Sequence, residues 1–173
     1  MTELRRPEPV DPKVHDRSTF DSGAPDLDEW LRRYSTRNRR RNTAATWVIT
    51  TADSAIVAYV CLAMTSIDRG DAPSSVAKHA PDPGPALLIG RLAVDRSHAG
   101  LGIGTALVAH VLATAVDLNA RAACRAVVVS AIDQAARSWW ERLGFHPFDP
   151  ADPGNPDLYL LTSEIEATLW SLG

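Results

Sequence analysis

Apolar positions first recur at helical spacing at Leu27, Trp30, Leu31 and Tyr34, behind the turn-rich stretch Phe20–Asp26. The pattern predicts a helix with Pro25 in its first turn and Asp21 or Ser22 as its cap. Asp26, Asp28 and Glu29 then lie where the helix dipole favours negative charge. Residues 1–19 read as a loop or a first edge strand. Thr46–Thr51 is β-branched and predicts a strand, Ala52-Asp53-Ser54 a hairpin turn, and Ile56–Thr65 a longer antiparallel neighbour. Residues 67–85 form a loop of Asp, Pro, Ser and Gly with a short helix at Ser75–His79. Ala86–Val94 reads as a buried strand interrupted by Gly90 and Arg91, and a glycine inside a strand marks a bulge or a close backbone approach. A long apolar helix to about Asn119 follows, then a short buried strand at Ala126–Ser130 and a helix from Gln134 to Leu143 stopped by Gly144. A strand starting at Phe145, a last strand at Leu158–Thr162 and a short C-terminal helix capped by Ser163 complete the chain. This order predicts a mixed α/β sheet flanked by helices.

Composition narrows the class. The chain has 173 residues, 45% of them hydrophobic, which fits a single domain over residues 1–173 with a real core. With 23% charged and 6% aromatic residues it is neither a disordered tail nor a fibrous repeat. A formal net charge of −3 argues against a globally basic nucleic-acid binder, though not against a local basic patch. Cys61 and Cys124 form no C-x-x-C pair and no zinc spacing appears, so no metal is expected, and free thiols suit a reducing cytoplasm. The N-terminus, Met1 to Pro7, has no apolar run behind its charges and does not read as a signal peptide. Leu101 to Leu118 is long enough to span a membrane, but its Gly, Ala and Thr, with His110 and Asp117, favour a buried core helix and no membrane partner.

Two stretches carry candidate chemistry. The first helix ends in Arg32, Arg33, Arg37, Arg39, Arg40 and Arg41, six arginines in ten residues. A dipole-matched, solvated helix end accounts for some of them. The excess points to an anionic partner, because the guanidinium fork suits phosphate. The second stretch is Gly100-Leu101-Gly102-Ile103-Gly104, between a buried strand and an apolar helix. Glycines there let backbone amides turn toward one point at a helix N-terminus, which makes a phosphate cradle rather than only a tight turn. A dinucleotide fold would need a small residue where Thr105 or Leu107 stands, and a Walker loop would need a lysine that is absent.

Leu88-Ile89-Gly90-Arg91-Leu92-Ala93-Val94-Asp95, followed by the three glycines and Ala106-Leu107, resembles the acetyl-CoA motif of the GNAT N-acetyltransferases. Asp133-x-x-Ala136-x-x-Trp139-Trp140-Glu141-Arg142-Leu143-Gly144-Phe145 resembles the family's second signature. Phe20-Asp21-Ser22-Gly23, Leu27 to Leu31 and the arginine-rich helix tail look like the GNAT toxins of bacterial toxin–antitoxin pairs. The resemblance covers about residues 18 to 162.

It implies a splayed central sheet with acetyl-CoA as co-substrate. Backbone groups of Leu92, Ala93 and Val94 would line the pantetheine arm, and amides from Ala99 and Gly100 through Leu101, Gly102, Ile103 and Gly104 to Thr105 would hold the pyrophosphate. Asp133, Ala136 and Trp139 would complete the cofactor side. It further implies acetylation of the α-amino group of aminoacyl-tRNA, which blocks translation, with the six arginines on tRNA phosphates. A ribbon–helix–helix antitoxin and a homodimer are the implied protein partners. Arg91 would contact the acceptor end, or else pair with a core carboxylate.

Two departures stand out. Trp140 occupies the place of the family's usual Tyr, and an indole N–H cannot act as a general acid near neutral pH. Either Trp140 orients the thioester while water supplies the proton, or Tyr159 substitutes, or the protein binds acetyl-CoA with little turnover. Ala99 stands where Gln or Arg is frequent. The rival readings are a GNAT for a small-molecule or protein amine, an impaired acetyl-CoA binder, and, weakest, a DNA-binding module.

Overall fold

The computed structural model describes residues 3–68, 70–78 and 80–171, so Met1, Thr2, Arg69, His79, Leu172 and Gly173 lie outside the described residues. In chain order the elements are β1 (Glu8–Pro9), α1 (Pro25–Arg33), α2 (Ser35–Arg40), β2 (Ala45–Thr50), β3 (Ile56–Ile67), α3 (Ser74–Ala77) and β4 (Gly84–Val94). Then come α4 (Ile103–Ala122), β5 (Ala126–Ser130), α5 (Gln134–Arg142), β6 (His146–Pro147), β7 (Asp157–Leu161) and α6 (Thr162–Ser171). The hydrogen-bonded strand order is β1-β2-β3-β4-β5-β7-β6, a mixed sheet in which β4 and β5 run parallel. The chain divides into two compact units, Met1–Ala63 with Gly90–His110 and Met64–Ile89 with Val111–Gly173.

In the first unit the two-residue strand β1 edges an antiparallel β1-β2-β3 ladder. His15 is buried behind it. The Asp11 amide donates to its Nδ1, which leaves Nε2 as the donor to Glu8 Oε1 at 2.9 Å. The core forms around Tyr59: Trp30 stacks on its ring at 5.9 Å, Phe20 meets it edge-on at 5.6 Å, and its hydroxyl donates to the Leu27 carbonyl at 2.7 Å. Burying the first face of α1 therefore also satisfies the phenol, which an apolar core demands.

Helix α1 begins at Pro25 as expected, but its cap is Ala24, without a side-chain bond. Asp21 and Ser22 do not cap it. Ser22 donates its amide and hydroxyl to Asp28 Oδ1 at 3.0 and 2.6 Å, and Asp21 is tied to Arg96. The helix also does not run through the arginines: it breaks at Tyr34 and restarts as α2.

In the second unit β5 pairs in parallel with β4 from Ala86↔Ala126 to Ile89↔Val129, and antiparallel with β7 from Ala126↔Leu161 to Ser130↔Asp157. Ile67, Val76, Ala86, Val128 and Tyr159 pack together beneath α3. Arg125 holds α3 in place, donating to the Val76 and Lys78 carbonyls at 3.2 and 2.7 Å.

Three further expectations change. Helix α6 starts at Thr162, so Ser163 lies inside it. Glu164 Oε2 instead accepts from the Leu161 amide at 3.3 Å and closes the first turn. A Cβ on Gly90 would meet Cys61 at 3.7 Å or more, ordinary contact, so no close approach requires glycine there. Helix α4 is long and apolar enough to cross a membrane, with mean hydropathy 1.4 over its best 18 residues. Yet only one face is buried, at Ile103, Leu107, Val108, Val111 and Ala115. The opposite face exposes Thr105, Ala106, Ala109, Ala113 and Asp117, so it is apolar through small side chains rather than wholly interior.

Candidate functional site

The glycine loop sits in the first unit, at the end of β4. Asp95 leaves the strand with its amide on the Val57 carbonyl at 2.8 Å. Its carboxylate accepts from the Asp21 amide and from the Ser97 amide and hydroxyl. Burial alone would raise its pKa, but these hydrogen bonds outweigh burial and hold it below the ordinary aspartate value. Arg96 pairs with Asp21, and a 3-10 turn at Arg96–His98 delivers the chain to Ala99.

Gly100 and Gly102 then take φ of +75° and +78°, the left-handed region that favours glycine. Nothing lies within 4 Å of a Cβ built on either, and Leu101 between them is 68% exposed. The first bond of α4 runs from the Ala106 amide to Gly102 O at 3.0 Å, so the amides of Ile103, Gly104 and Thr105 precede the helix's own acceptors. Two alternating left-handed residues before a 20-residue helix make a nest of amide donors suited to a diphosphate.

In the same unit the Arg91 guanidinium lies over the Trp30 ring, 4.8 Å from its centre, rather than on a core carboxylate. Leu92 and Val94 are half-buried and Ala93 is buried. The six arginines are all exposed but not equivalent. Arg32 donates to the Phe20 carbonyl at 3.1 Å, Arg33 pairs with Glu29 at 3.3 Å, and Arg37 lies over Tyr34. The guanidinium groups of Arg39, Arg40 and Arg41 have no partner among the described residues.

In the second unit Asp133 caps α5, its Oδ1 accepting from the Ala136 amide at 2.7 Å. That gives the aspartate a structural role the sequence reading did not assign. Trp139 is half-buried and meets Trp140 edge-on at 4.8 Å, and Trp140, 5% exposed, packs edge-on against Phe145 at 5.1 Å. Tyr159 does not point free. Its hydroxyl is 2.9 Å from Ser75 Oγ on α3, and its ring packs against Phe148. Arg137, which the sequence reading passed over, is buried and donates to the Pro153 and Asn155 carbonyls at 2.9 and 3.2 Å, fixing the loop before β7.

A cleft of about 400 Å³ also belongs to this unit. Leu88, Val128 and Phe148 give it an apolar floor, and Asp68, Asp71 and Asp157 give it a carboxylate rim, with Ser130 bonded to Asp157. Sequence reasoning missed it because the three aspartates lie in segments whose composition signals only turns. Among the described residues no group of three or more His, Cys, Asp or Glu side chains is placed to hold a metal.

The acetyltransferase (GNAT) family model matches residues 10–145. A tRNA-acetylating toxin of Mycobacterium tuberculosis (strain ATCC 25618 / H37Rv) is 34% identical over 154 residues, covering 89% of this chain and 90% of that protein. The solved structure of AtaT complexed with acetyl-methionyl-tRNAfMet matches with a TM-score of 0.87 at 26% identity, over 96% of this chain and 99% of that one. A crystal structure of a KacT mutant matches equally, with a TM-score of 0.87 at 26% identity over 95% and 98% of the two chains.

Proposed function

The chain belongs to the acetyltransferase (GNAT) family, and from that membership we propose that it is a toxin that acetylates the α-amino group of aminoacyl-tRNA, with acetyl-CoA as co-substrate. The observation that carries this reading is the open glycine nest at Gly100 and Gly102. The residues present fit a coenzyme A diphosphate: the backbone supplies the donors, and a Cβ at Gly100 or Gly102 would meet nothing within 4 Å.

Bound there, acetyl-CoA supplies an activated thioester. The chain's own residues do the rest. Amides from Ala99 to Thr105 hold the diphosphate, and the backbone of Leu92 and Val94 pairs with the pantetheine arm. In the second unit, Asp133, Ala136 and Trp139 are the residues that the family resemblance assigns to the cofactor side. An amide between Gly90 and Ala93 stabilises the developing oxyanion. The acceptor amine must lose its proton before attack, a step that needs a base within hydrogen-bond reach of the nitrogen. Trp140 orients rather than protonates. Because the Tyr159 hydroxyl is engaged by Ser75, water is the better supported source of the proton that the departing sulfur needs.

The tRNA reading rests on the 34% identical relative and on the exposed arginines, of which Arg39, Arg40 and Arg41 are free to meet phosphates. An antitoxin partner and a cytoplasmic site of action follow from the same reading. The ribbon–helix–helix form of that antitoxin and a homodimer are supported by the family resemblance alone. The test is incubation with isotope-labelled acetyl-CoA and total charged tRNA, followed by nuclease digestion and mass spectrometry. Label on aminoacyl-adenosine is the expected result. Label only on free small amines would replace this reading with the small-molecule one.

A further inference from the structure

Ala99 offers the glycine loop no polar side chain, but the residue before it does. His98 closes the 3-10 turn with its amide on the Asp95 carbonyl at 2.9 Å. It stands two positions before Gly100, a span of at most about 7 Å. Its Nδ1 lies 2.9 Å from Ser97 Oγ, and Ser97 Oγ lies 2.6 Å from Asp95 Oδ1. The direction of these bonds follows from proton counting. A carboxylate only accepts, and two oxygens at 2.6 Å without a proton between them would repel, so the single hydroxyl proton of Ser97 goes to Asp95. Ser97 Oγ must then accept from His98, which fixes the proton on Nδ1. The chain His98 Nδ1–H to Ser97 Oγ–H to Asp95 ends on a carboxylate, and a protonated imidazole would offer its Nε2–H as the remaining donor. The other charged groups here are Arg96 and Asp21, which neutralise each other in their own ion pair.

We propose that His98, held by the Ser97–Asp95 relay, is the side-chain anion contact of the glycine loop and makes the diphosphate of coenzyme A bind more tightly as the pH falls. The proposal rests on the reading of this loop as a coenzyme A site. It assigns to His98 the contact that Ala99 cannot make. The sign is fixed by the chemistry: binding that favours the charged imidazole is strongest where histidine is protonated and weakens as the pH rises through the histidine range.

The probe is dephospho-coenzyme A. It keeps the diphosphate but lacks the 3′-phosphate monoester, whose own second ionisation near pH ~6 would slope the other way. Calorimetric titration of the full chain is expected to give binding about tenfold tighter at pH 5.5 than at pH 8, the equivalent of one pKa unit. His98→Gln should flatten this profile at the weaker affinity, and His98→Lys should flatten it at the tighter one. Ser97→Ala, which keeps the imidazole and cuts the relay, should reduce the slope and serves if a His98 variant does not fold. A flat wild-type profile, or an unchanged slope in His98→Gln, overturns the proposal while leaving the loop as a coenzyme A site. A wild-type protein that binds the probe at no pH removes the loop reading itself, and the proposal with it.

Discussion

Single residues show where the fold is under tension. Thr50 on β2 is fully buried, and its hydroxyl has no hydrogen-bond partner among the described residues. Leaving a buried hydroxyl unpaired costs about 1–3 kcal/mol, whereas a methyl of the same shape costs nothing. Thr50→Val should therefore raise the urea midpoint by the equivalent of about 1 kcal/mol with an unchanged slope, and a fall would show that the hydroxyl is engaged after all. Trp140 carries the opposite kind of expectation. It packs edge-on against Phe145 at the position where a phenol would be an acid, and a positioned general acid contributes about 10²-fold or more. Trp140→Tyr should thus raise the acetylation rate at least about tenfold in a steady-state assay. No gain would show that proton supply to the leaving sulfur does not limit turnover.

Elements depend on contacts that sequence spacing does not reveal. The Asp133 bond to the Ala136 amide is a helix cap, so Asp133→Ala should cost about 1 kcal/mol of stability and Asp133→Asn little, read from chemical denaturation. If both lose equally, the carboxylate charge matters more than the cap. Asp95 ties β4 to Asp21 and Ser97, and its folded-state pKa is depressed, so its stabilisation is present above the ordinary value of 3.8 and is lost as the pH falls through the folded value. Asp95→Asn should lower the melting temperature at pH 7 and shrink the difference between pH 7 and pH 3.

The helices and strands themselves were legible, because spacing and residue type report local structure: Trp30 and Leu31 at helical spacing on α1, β-branched residues on β2, the glycine after α5. Their caps were not, because Asp21 is drawn to Arg96 far along the chain, and Glu164 rather than Ser163 closes α6. Likewise the glycine nest was readable from the alternating glycines, two of which, Gly100 and Gly102, take the left-handed backbone that favours glycine. The carboxylate cleft was not, since nothing local distinguishes Asp68 and Asp157 from aspartates that merely turn the chain.

At the scale of the whole molecule, charge decides how a net −3 protein meets a polyanion. Long-range attraction to RNA is absent on average, so binding has to come from a local patch within a screening length of the phosphates. On the proposed function, Arg39, Arg40 and Arg41 are the candidates for it: all three are exposed, and none is neutralised by a neighbour among the described residues, unlike Arg33 on Glu29. Each phosphate contact they make releases counterions and steepens the dependence of affinity on salt by about 0.7–0.9 in log–log terms. Reversing all three to glutamate should therefore lower the magnitude of that slope by at least about 2 and weaken tRNA binding severely at 50–150 mM salt, while leaving the affinity for acetyl-CoA unchanged. Filter binding across a salt series measures the first, calorimetry the second. A slope that survives the reversal would move the tRNA contact to another surface, and a parallel loss of acetyl-CoA binding would mean that the charges act on the fold rather than on the nucleic acid.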